Sequence, residues 1–303
     1  MATLAQALAA GPVVLDGGLS TELESRGHDV TSALWSARLL RDDPGAIADA
    51  HAAFATAGAQ VATTASYQAT FPGFAAVGID AVQARTLMTR SVELARDGLA
   101  AAGRTGWVAA SVGPYGAFLA DGSEYTGGYV DALTVAELRE FHRPRLQVLA
   151  AAGADVLACE TLPAAAEVEA LLAELSDLGI PAWLSLTPVL DAAGVPRTRR
   201  GERLAEVAAM ARDVDAVIAV GVNCTDPAGV TAAVQVAAAA SGKPVAAYPN
   251  SGEAWDAAAR RWTGRAGVGD VSAWLAAGAR LVGGCCRVRP DDVRTITERV
   301  AVT

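Results

Sequence analysis

The feature that most constrains the fold of this sequence is a repeated unit, in which a stretch with helical spacing is followed by a glycine and then by a short apolar run. The glycine lies inside a triplet in these segments: Ala57-Gly58-Ala59, Ala152-Gly153-Ala154 and Ala277-Gly278-Ala279, with Leu178-Gly179-Ile180 and Ser241-Gly242-Lys243 as looser versions. A glycine that ends a helix just before a buried strand is typical of the helix-to-strand turn of repeating β-α units. Because the connections in such units are right-handed, the repeat predicts a parallel sheet covered by helices.

About eight apolar or β-branched runs are predicted to be strands: Val13–Asp16, Gln60–Thr64, Trp107–Val112, Asp155–Glu160, Ala182–Thr187, Ala216–Cys224, Pro244–Tyr248 and Arg280–Gly283. Eight such units close into a (β/α)8 TIM-type barrel, which takes about 250 residues. The 303 residues are therefore expected to form one α/β domain, 1–303. A doubly wound open sheet is the alternative, but the turn Asp16-Gly17-Gly18-Leu19-Ser20 lacks the G-x-G-x-x-G spacing that usually accompanies it.

Charge and hydropathy exclude some classes of partner. The formal net charge of −9 is the opposite of the basic surface that nucleic acid selects. No apolar run reaches the roughly 18 residues of a membrane helix, and the first residues carry no basic segment typical of a signal peptide. We expect a cytoplasmic protein that is a monomer or a small homo-oligomer and binds neither nucleic acid nor membrane.

Polar residues follow most of the predicted strands, at the end of the barrel where active sites lie. In chain order they are Asp16-Gly17-Gly18, Thr63-Thr64, Gly113-Pro114-Tyr115, Glu160-Thr161, Asn223-Cys224, Tyr248-Pro249-Asn250 and Gly283-Gly284-Cys285-Cys286. Such a rim predicts a polar site at the C-terminal face of the barrel.

Three of the four cysteines belong to this rim. Cys224, Cys285 and Cys286 come from two different strand ends and are expected to meet above the barrel, whereas strand alternation turns Cys159 away from the mouth, because Glu160 follows it. Three thiolates and one open position are typical of a catalytic zinc site, and structural zinc sites have four protein ligands. The alternatives are that the cysteines are packing residues or a redox pair, although disulfides are uncommon in a reducing compartment.

The residues that several other kinds of enzyme require are missing or misplaced in this sequence. The single lysine, Lys243, precedes the seventh strand and so lies at the wrong end of the barrel for a Schiff base. His28, His51 and His142 fall on a loop or on predicted helices, away from the strand ends. No Ser-His-acid or H-E-x-x-H arrangement is present.

Eight ordered segments resemble those of the homocysteine S-methyltransferases, in particular the type that uses S-methylmethionine. They are DGGLSTEL at 16–23, ALWSARLL at 33–40, TTASYQATFPGF at 63–74, VGPYGAFLADGSEYTGGY at 112–129, ETLP at 160–163, GVNCTDP at 221–227, YPNSGEAWD at 248–256 and GGCCRVRPDDV at 283–293.

The resemblance implies a (β/α)8 barrel that holds zinc on Cys224, Cys285 and Cys286. It also implies that the sulfur of homocysteine takes the open zinc position and is methylated to methionine. Glu160 would then bind the substrate amino group, and the turn Asp16-Gly17-Gly18 would hold the amino-acid end. Coordination to zinc deprotonates a thiol near neutral pH, so no general base is required for transfer.

A sulfonium donor is attracted by aromatic rings. The candidates in the matching segments are Trp35, Tyr67, Tyr115, Tyr125 and Tyr129. The stretch Tyr115–Asp131 is expected to be a long irregular loop that could cover the site. Asn250 is a candidate for substrate binding, or alternatively caps a helix that begins near Gly252.

Several alternative functions share these residues. S-adenosylmethionine is a second sulfonium donor, and selenocysteine a second acceptor. The barrel could instead activate homocysteine for a separate cobalamin or betaine methyl donor. A zinc hydrolase with Glu160 as general base, or a zinc-binding barrel without catalysis, belongs to another functional class.

Overall fold

The chain forms a (β/α)8 barrel in the computed structural model, which describes residues 1–30, 34, 36–256, 261–263 and 267–302. Its eight barrel strands are β1 Val13–Val14, β2 Val61–Thr63, β3 Trp107–Val112, β4 Val156–Leu162, β5 Ala182–Leu186, β6 Val217–Asn223, β7 Val245–Tyr248 and β8 Ala279–Val282. They pair in parallel in the order β1-β8-β7-β6-β5-β4-β3-β2. A bridge between Leu15 and Val61, beside the hydrogen bond from Gln60 N to Val14 O of 2.8 Å, closes the ring.

Helices connect the strands and cover the outside of the barrel. They are α1 Leu4–Ala10, α2 Leu19–Ser25, α3 Ser36–Asp42, α4 Pro44–Ala57, α5 Phe71–Ala76, α6 Ala81–Ala101, α7 Tyr115–Leu119, α8 Val135–Ala151, α9 Ala165–Leu175, α10 Leu204–Ala209, α11 Val230–Ser241, α12 Val271–Ala276 and α13 Pro290–Ala301. The five glycines of the repeated unit, Gly58, Gly153, Gly179, Gly242 and Gly278, all have positive φ, as expected of residues that end a helix.

The predicted strands are confirmed, with ends that shift by one or two residues. Two short antiparallel hairpins were not predicted: Val189–Leu190 pairs with Pro196–Arg197, and Ala254–Asp256 with Arg261–Thr263. The second hairpin lies where a helix was expected to begin near Gly252, so that expectation is wrong. Residues 33 and 35 of the segment 33–40, which resembles the family, lie outside the described residues.

Two layers of apolar side chains form the core. The outer layer lies between the strands and the helices and includes Cys159, which is fully buried there. The inner layer fills the barrel and joins Leu4 and Leu8 of α1 to residues of all eight strands, among them Trp183 and Leu281. Helix α1 therefore covers the N-terminal end of the barrel. Its position is fixed by a capping box between Thr3 and Gln6.

The open end of the barrel lies at the C-terminal ends of the strands. Lys243 precedes β7 and donates from Nζ to the carbonyl of Val214, at the opposite end. Among the described residues, no helix combines the length and the apolar character needed to cross a membrane.

Candidate active site

A cavity of about 130 Å³ opens at the C-terminal face of the barrel. Residues that line it include Asp16, Gly17 and Gly18 after β1, Thr63, Thr64 and Tyr67 after β2, Ser111 of β3, Glu160 and Thr161 of β4, Asn223 and Cys224 after β6, Tyr248 of β7 and Cys285 and Cys286 after β8. The strand ends thus supply the wall, as the sequence predicts for this fold.

The three rim cysteines meet at one side of this cavity. Their Sγ atoms all lie within 4.8 Å of one another, and those of Cys224 and Cys286 are 3.8 Å apart. Two sulfurs bound to one tetrahedral zinc ion lie about 3.8 Å apart, since each Zn–S bond is about 2.3 Å long. The donor set therefore fits a tetrahedral metal ion that keeps one position for another ligand.

The cysteines are also close enough to react with one another. Cys224 and Cys285 form a disulfide in this structure, with their Cα atoms 5.5 Å apart, a separation typical of disulfides. The expected meeting of the three cysteines is thus observed, with two of them paired in this form of the protein. Oxidation and metal binding compete for the same two residues, because a metal ion needs both as thiolates.

Local backbone geometry turns Cys224 towards the cavity. Cys224 has φ +46° and Thr161 has φ +62°, a region that residues other than glycine seldom occupy. Asn223, which precedes Cys224, holds Thr161 with two hydrogen bonds: its Oδ1 accepts the N–H of Thr161 at 2.9 Å, and its Nδ2 donates to Thr161 Oγ1 at 2.8 Å. Backbone strain that is held by such contacts is common at functional sites.

Asp16 and Glu160 are two buried carboxyl groups in the cavity wall. Burial raises the pKa of Asp16 to about 7, although Thr63 opposes this through a backbone N–H at 2.6 Å and its hydroxyl at 2.8 Å. Burial likewise raises the pKa of Glu160 to about 7. Ser111 and Tyr248 each donate a hydrogen bond to Glu160, and Trp183 Nε1 donates to the Tyr248 hydroxyl at 3.0 Å. A cation bound here would find two acceptors already held in place.

Only some of the predicted aromatic residues line the cavity. Tyr67 and Tyr125 do, and the Tyr125 hydroxyl donates a hydrogen bond to the thiol of Cys286. Tyr115 packs instead against Phe118 and Phe141, and Tyr129 packs against Tyr115. Trp35 lies outside the described residues.

The segment from Tyr115 to Asp131 is ordered into short helices, so the expectation of an irregular loop is wrong. It contains α7 and two 3₁₀ turns, Ser123–Tyr125 and Gly128–Asp131. Glu167 of α9 anchors it by accepting the N–H of Tyr115 at 2.6 Å and the hydroxyl of Tyr129. His142 Nε2 lies 2.8 Å from the same carboxylate. This buried network fixes the turn that carries Tyr125.

Asn250 supports the cysteines and is not among the described residues that line the cavity. Its Oδ1 accepts the backbone N–H of Cys286 at 3.2 Å. Sequence reasoning placed Asn223 and Tyr248 in the polar rim without giving either a role, and it did not name Ser111. The signal for Ser111 was available, since it is a polar residue near the C-terminal end of an otherwise apolar strand.

Comparisons with known proteins identify the family of this chain. Residues 13–300 match the family model for homocysteine S-methyltransferase. The chain is 41% identical to homocysteine S-methyltransferase 2 of Arabidopsis thaliana, an alignment that covers 96% of this chain and 93% of that protein. It is 44% identical to homocysteine S-methyltransferase of Escherichia coli K12, over 95% and 94% of the two chains. The selenocysteine Se-methyltransferase of Brassica oleracea is 41% identical, over 96% of this chain and 89% of that protein.

Solved structures give the same result. The metallated form of the homocysteine methyltransferase MmuM from Escherichia coli superposes with a TM-score of 0.83 at 42% identity, over 95% of this chain and 96% of that one. Its oxidized form has the same TM-score at 43% identity, with the same coverage.

Proposed function

Because the chain belongs to the homocysteine S-methyltransferase family, we propose that it transfers a methyl group from S-methylmethionine to homocysteine with the help of a zinc ion. The homocysteine methyltransferase activity itself follows from the family and from the close relatives. The donor, the metal and the roles of individual residues are the proposal.

The arrangement of the three cysteines carries the proposal. Once the Cys224–Cys285 disulfide is reduced, Cys224, Cys285 and Cys286 would hold the zinc ion as thiolates. When bound, zinc supplies an open position for the homocysteine sulfur and lowers the pKa of that thiol, which is ordinarily about 8.5. A catalytic zinc site differs from a structural one in this open position.

The buried carboxyl groups bind the other end of homocysteine. The carboxylate of Glu160 accepts hydrogen bonds from the substrate ammonium group. Ser111 and Tyr248 hold this Glu160 carboxylate in one orientation. Asp16, held by Thr63, adds a second negative charge to the same cavity wall. A bound ammonium group stabilises both carboxylates and so lowers the two raised pKa values. The glycines of the turn Gly17-Gly18 allow it to pack closely against backbone, because a Cβ would lie 2.5 Å from Val288 O at Gly17 and 2.6 Å from Cys285 O at Gly18.

The methyl transfer is a direct displacement. An electron pair of the homocysteine thiolate forms the new bond to the methyl carbon, and the bond from that carbon to the sulfonium sulfur breaks. S-methylmethionine then leaves as methionine, and the acceptor also becomes methionine. Both charges disappear, so alignment of the two sulfurs is the main contribution of the protein. Tyr67 and Tyr125 line the cavity and offer ring faces to the sulfonium.

The direct test is a radiolabel assay. Zinc-loaded protein is incubated with homocysteine and methyl-labelled S-methylmethionine, and labelled methionine is measured for the native chain and for Cys285→Ser. We expect labelled methionine from the native chain and none from the variant. If the native chain binds zinc but forms no methionine, the donor assignment is wrong; if it binds no zinc, the role of the cysteines is wrong.

A second acceptor is favoured by one observation. The selenocysteine Se-methyltransferase of Brassica oleracea is as similar to this chain as the Arabidopsis homocysteine enzyme. Running the same assay with selenocysteine in place of homocysteine compares the two acceptors under identical conditions. A higher kcat/KM with selenocysteine would reverse the order of preference proposed here.

A further inference from the structure

Arg199 lies between the candidate active site and a second cavity. It follows the hairpin Val189–Leu190 with Pro196–Arg197, and it lines a cavity of about 310 Å³ together with residues such as Thr225 and Asp226. Its guanidinium carbon is 5.6 Å from the ring centre of Tyr125, which lines the first cavity. The side chain is half-buried and reaches the edge of the site.

The partners of Arg199 leave its charge without a counter-ion. Its Nε donates to the carbonyl of Thr187 at 3.0 Å, and its Nη2 to the Thr187 hydroxyl at 3.2 Å. The neighbouring arginines are paired: Arg197 with Asp191 at 2.6 Å, and Arg200 with Asp131 at 2.5 Å. Within the described part of the chain, Arg199 has no carboxylate partner. A half-buried guanidinium that has only neutral partners is a binding group for a planar anion.

The described lining of the active-site cavity has no side-chain cation to pair with a carboxylate. Of its described lining residues, none is a lysine, an arginine or a histidine, and Asp16 and Glu160 repel an anion. Both substrates of the proposed reaction are amino acids, and each brings a carboxylate. Arg199 brings a cation to the edge of this cavity, because its guanidinium lies over the ring of Tyr125, which is one of the lining residues.

The positive charge of the sulfonium donor also has a candidate partner near Tyr125. Glu124 precedes Tyr125, is 3% exposed, and its Oε2 has no hydrogen-bond partner. Burial raises the pKa of Glu124, and a nearby cation would stabilise its ionised form. The neighbours of Tyr125 thus include a carboxyl group suited to a cation, at Glu124, and a guanidinium suited to an anion, at Arg199.

We propose that Arg199 binds the carboxylate of the methyl donor while the donor's sulfonium lies against Tyr125. This inference rests on the proposed function, because it takes the donor to be an amino-acid sulfonium. Arg199 is then a specificity-determining residue. It selects donors whose carboxylate lies about as far from the sulfonium as in S-methylmethionine, and it disfavours simple sulfonium ions.

The test compares Arg199→Gln and Arg199→Lys with the native enzyme, and uses Arg200→Gln as a matched control. The KM values for S-methylmethionine and for homocysteine are measured separately, and titration calorimetry without homocysteine measures donor binding in the absence of turnover. We expect Arg199→Gln to raise the KM and dissociation constant for S-methylmethionine about 10- to 100-fold, the range for a lost charge-assisted hydrogen bond. Arg199→Lys keeps the charge and is expected to lose less. Arg200→Gln is expected to behave as the native enzyme.

A donor without a carboxylate separates recognition from structural damage. Trimethylsulfonium is expected to give the same kcat/KM with the native enzyme and with Arg199→Gln. Arg199 also holds Thr187, whose hydroxyl donates to the carbonyl of Cys224 at 3.0 Å, so a purely structural role would lower kcat and zinc content with every donor. Three results would overturn the proposal. They are a loss of kcat and zinc content with every donor, a rise in the KM for homocysteine alone, and an unchanged KM for S-methylmethionine. Failure of the native enzyme to form methionine would instead reject the proposed function.

Discussion

Glu160 is a residue whose environment opposes the charge that its proposed role requires. It is 8% exposed and follows the buried run of β4, which accounts for its raised pKa. The hydrogen bonds from Ser111 and Tyr248 favour the ionised form but do not offset burial. A bound ammonium group would stabilise the ionised carboxylate, so the residue is arranged for a cationic ligand.

The first prediction concerns acceptor binding. Glu160→Gln keeps the shape of the side chain but removes its charge, so we expect the KM for homocysteine to rise about 10-fold or more, as for a lost charged hydrogen bond. The KM for the methyl donor is expected to change little. Steady-state kinetics with each substrate varied in turn checks this, and an unchanged homocysteine KM would remove Glu160 from the acceptor site.

The same substitution has a predicted effect on stability. A folded-state pKa of about 7, above the ordinary value of 4.5, means that the folded protein binds this proton more tightly than the unfolded chain. The contribution of Glu160 is therefore most favourable below about pH 4.5 and is lost as pH rises towards 7, a change on the order of 3 kcal/mol. We expect the Tm of Glu160→Gln relative to the native protein to rise by several degrees between pH 5 and pH 8. Glu169→Gln, which alters an exposed carboxylate on α9, is the control and should show no such trend.

At the scale of elements, the site is made by strand ends and by the turns that follow them. The eight strands and the meeting of Cys224 with Cys285 and Cys286 could be predicted, because burial patterns and parallel topology fix where strand ends lie. The roles of the aromatic residues could not. Tyr115 and Tyr129 belong to short helices whose orientation depends on Glu167 and His142, two residues on distant helices. Contacts of this kind leave no local pattern in the sequence.

The turn after β1 gives a prediction for an element. A Cβ on Gly18 would lie 2.6 Å from the carbonyl oxygen of Cys285 and 2.9 Å from Thr21 Oγ1. Gly18→Ala is therefore expected to displace the cysteine loop and to reduce zinc content and activity by at least 10-fold. Gly11→Ala is the control, since nothing lies within 4 Å of its Cβ position and its φ of 172° suits any residue. Zinc analysis after dialysis measures the effect; equal zinc content in the two variants would contradict it.

The ends of β6 and β8 give a prediction about oxidation state. With Cys224 and Cys285 joined, only Cys286 remains as a thiol at the site. We expect oxidised protein to bind no zinc, and protein treated with a reductant to bind one ion per chain. Cys159→Ser is expected to change neither result, because Cys159 is buried in the outer core and burial raises its pKa to about 12. Zinc binding by the oxidised form would contradict this prediction, because it would show that the ion does not need all three cysteine thiolates.

For the whole molecule, helix α1 converts an open ring of strands into a barrel with one mouth. Leu4 and Leu8 are each 2% exposed and join the inner core, and Trp107 Nε1 donates to the carbonyl of Ala2 at 3.0 Å. The sequence alone did not predict this cover, because an amphipathic segment before the first strand does not show which end of a barrel it packs against.

The prediction at this scale separates stability from activity. Leu8→Ala removes a side chain from the inner core and is expected to lower the free energy of unfolding by about 2 to 5 kcal/mol. The kinetic constants at 25 °C should stay within twofold, since α1 lies at the end away from the mouth. Urea unfolding and steady-state assays check the two parts, with Val82→Ala at an exposed position of α6 as control. A large change in KM would show that the two ends of the barrel are coupled.

The position of Lys243 has a practical consequence. It is the single lysine of the sequence, and it lies before β7, at the end of the barrel opposite the mouth. A reagent that couples through a side-chain amine therefore attaches the molecule by its closed end. Protein fixed in this way to a sensor surface or a bead would present the cysteine site to the solution in a uniform orientation.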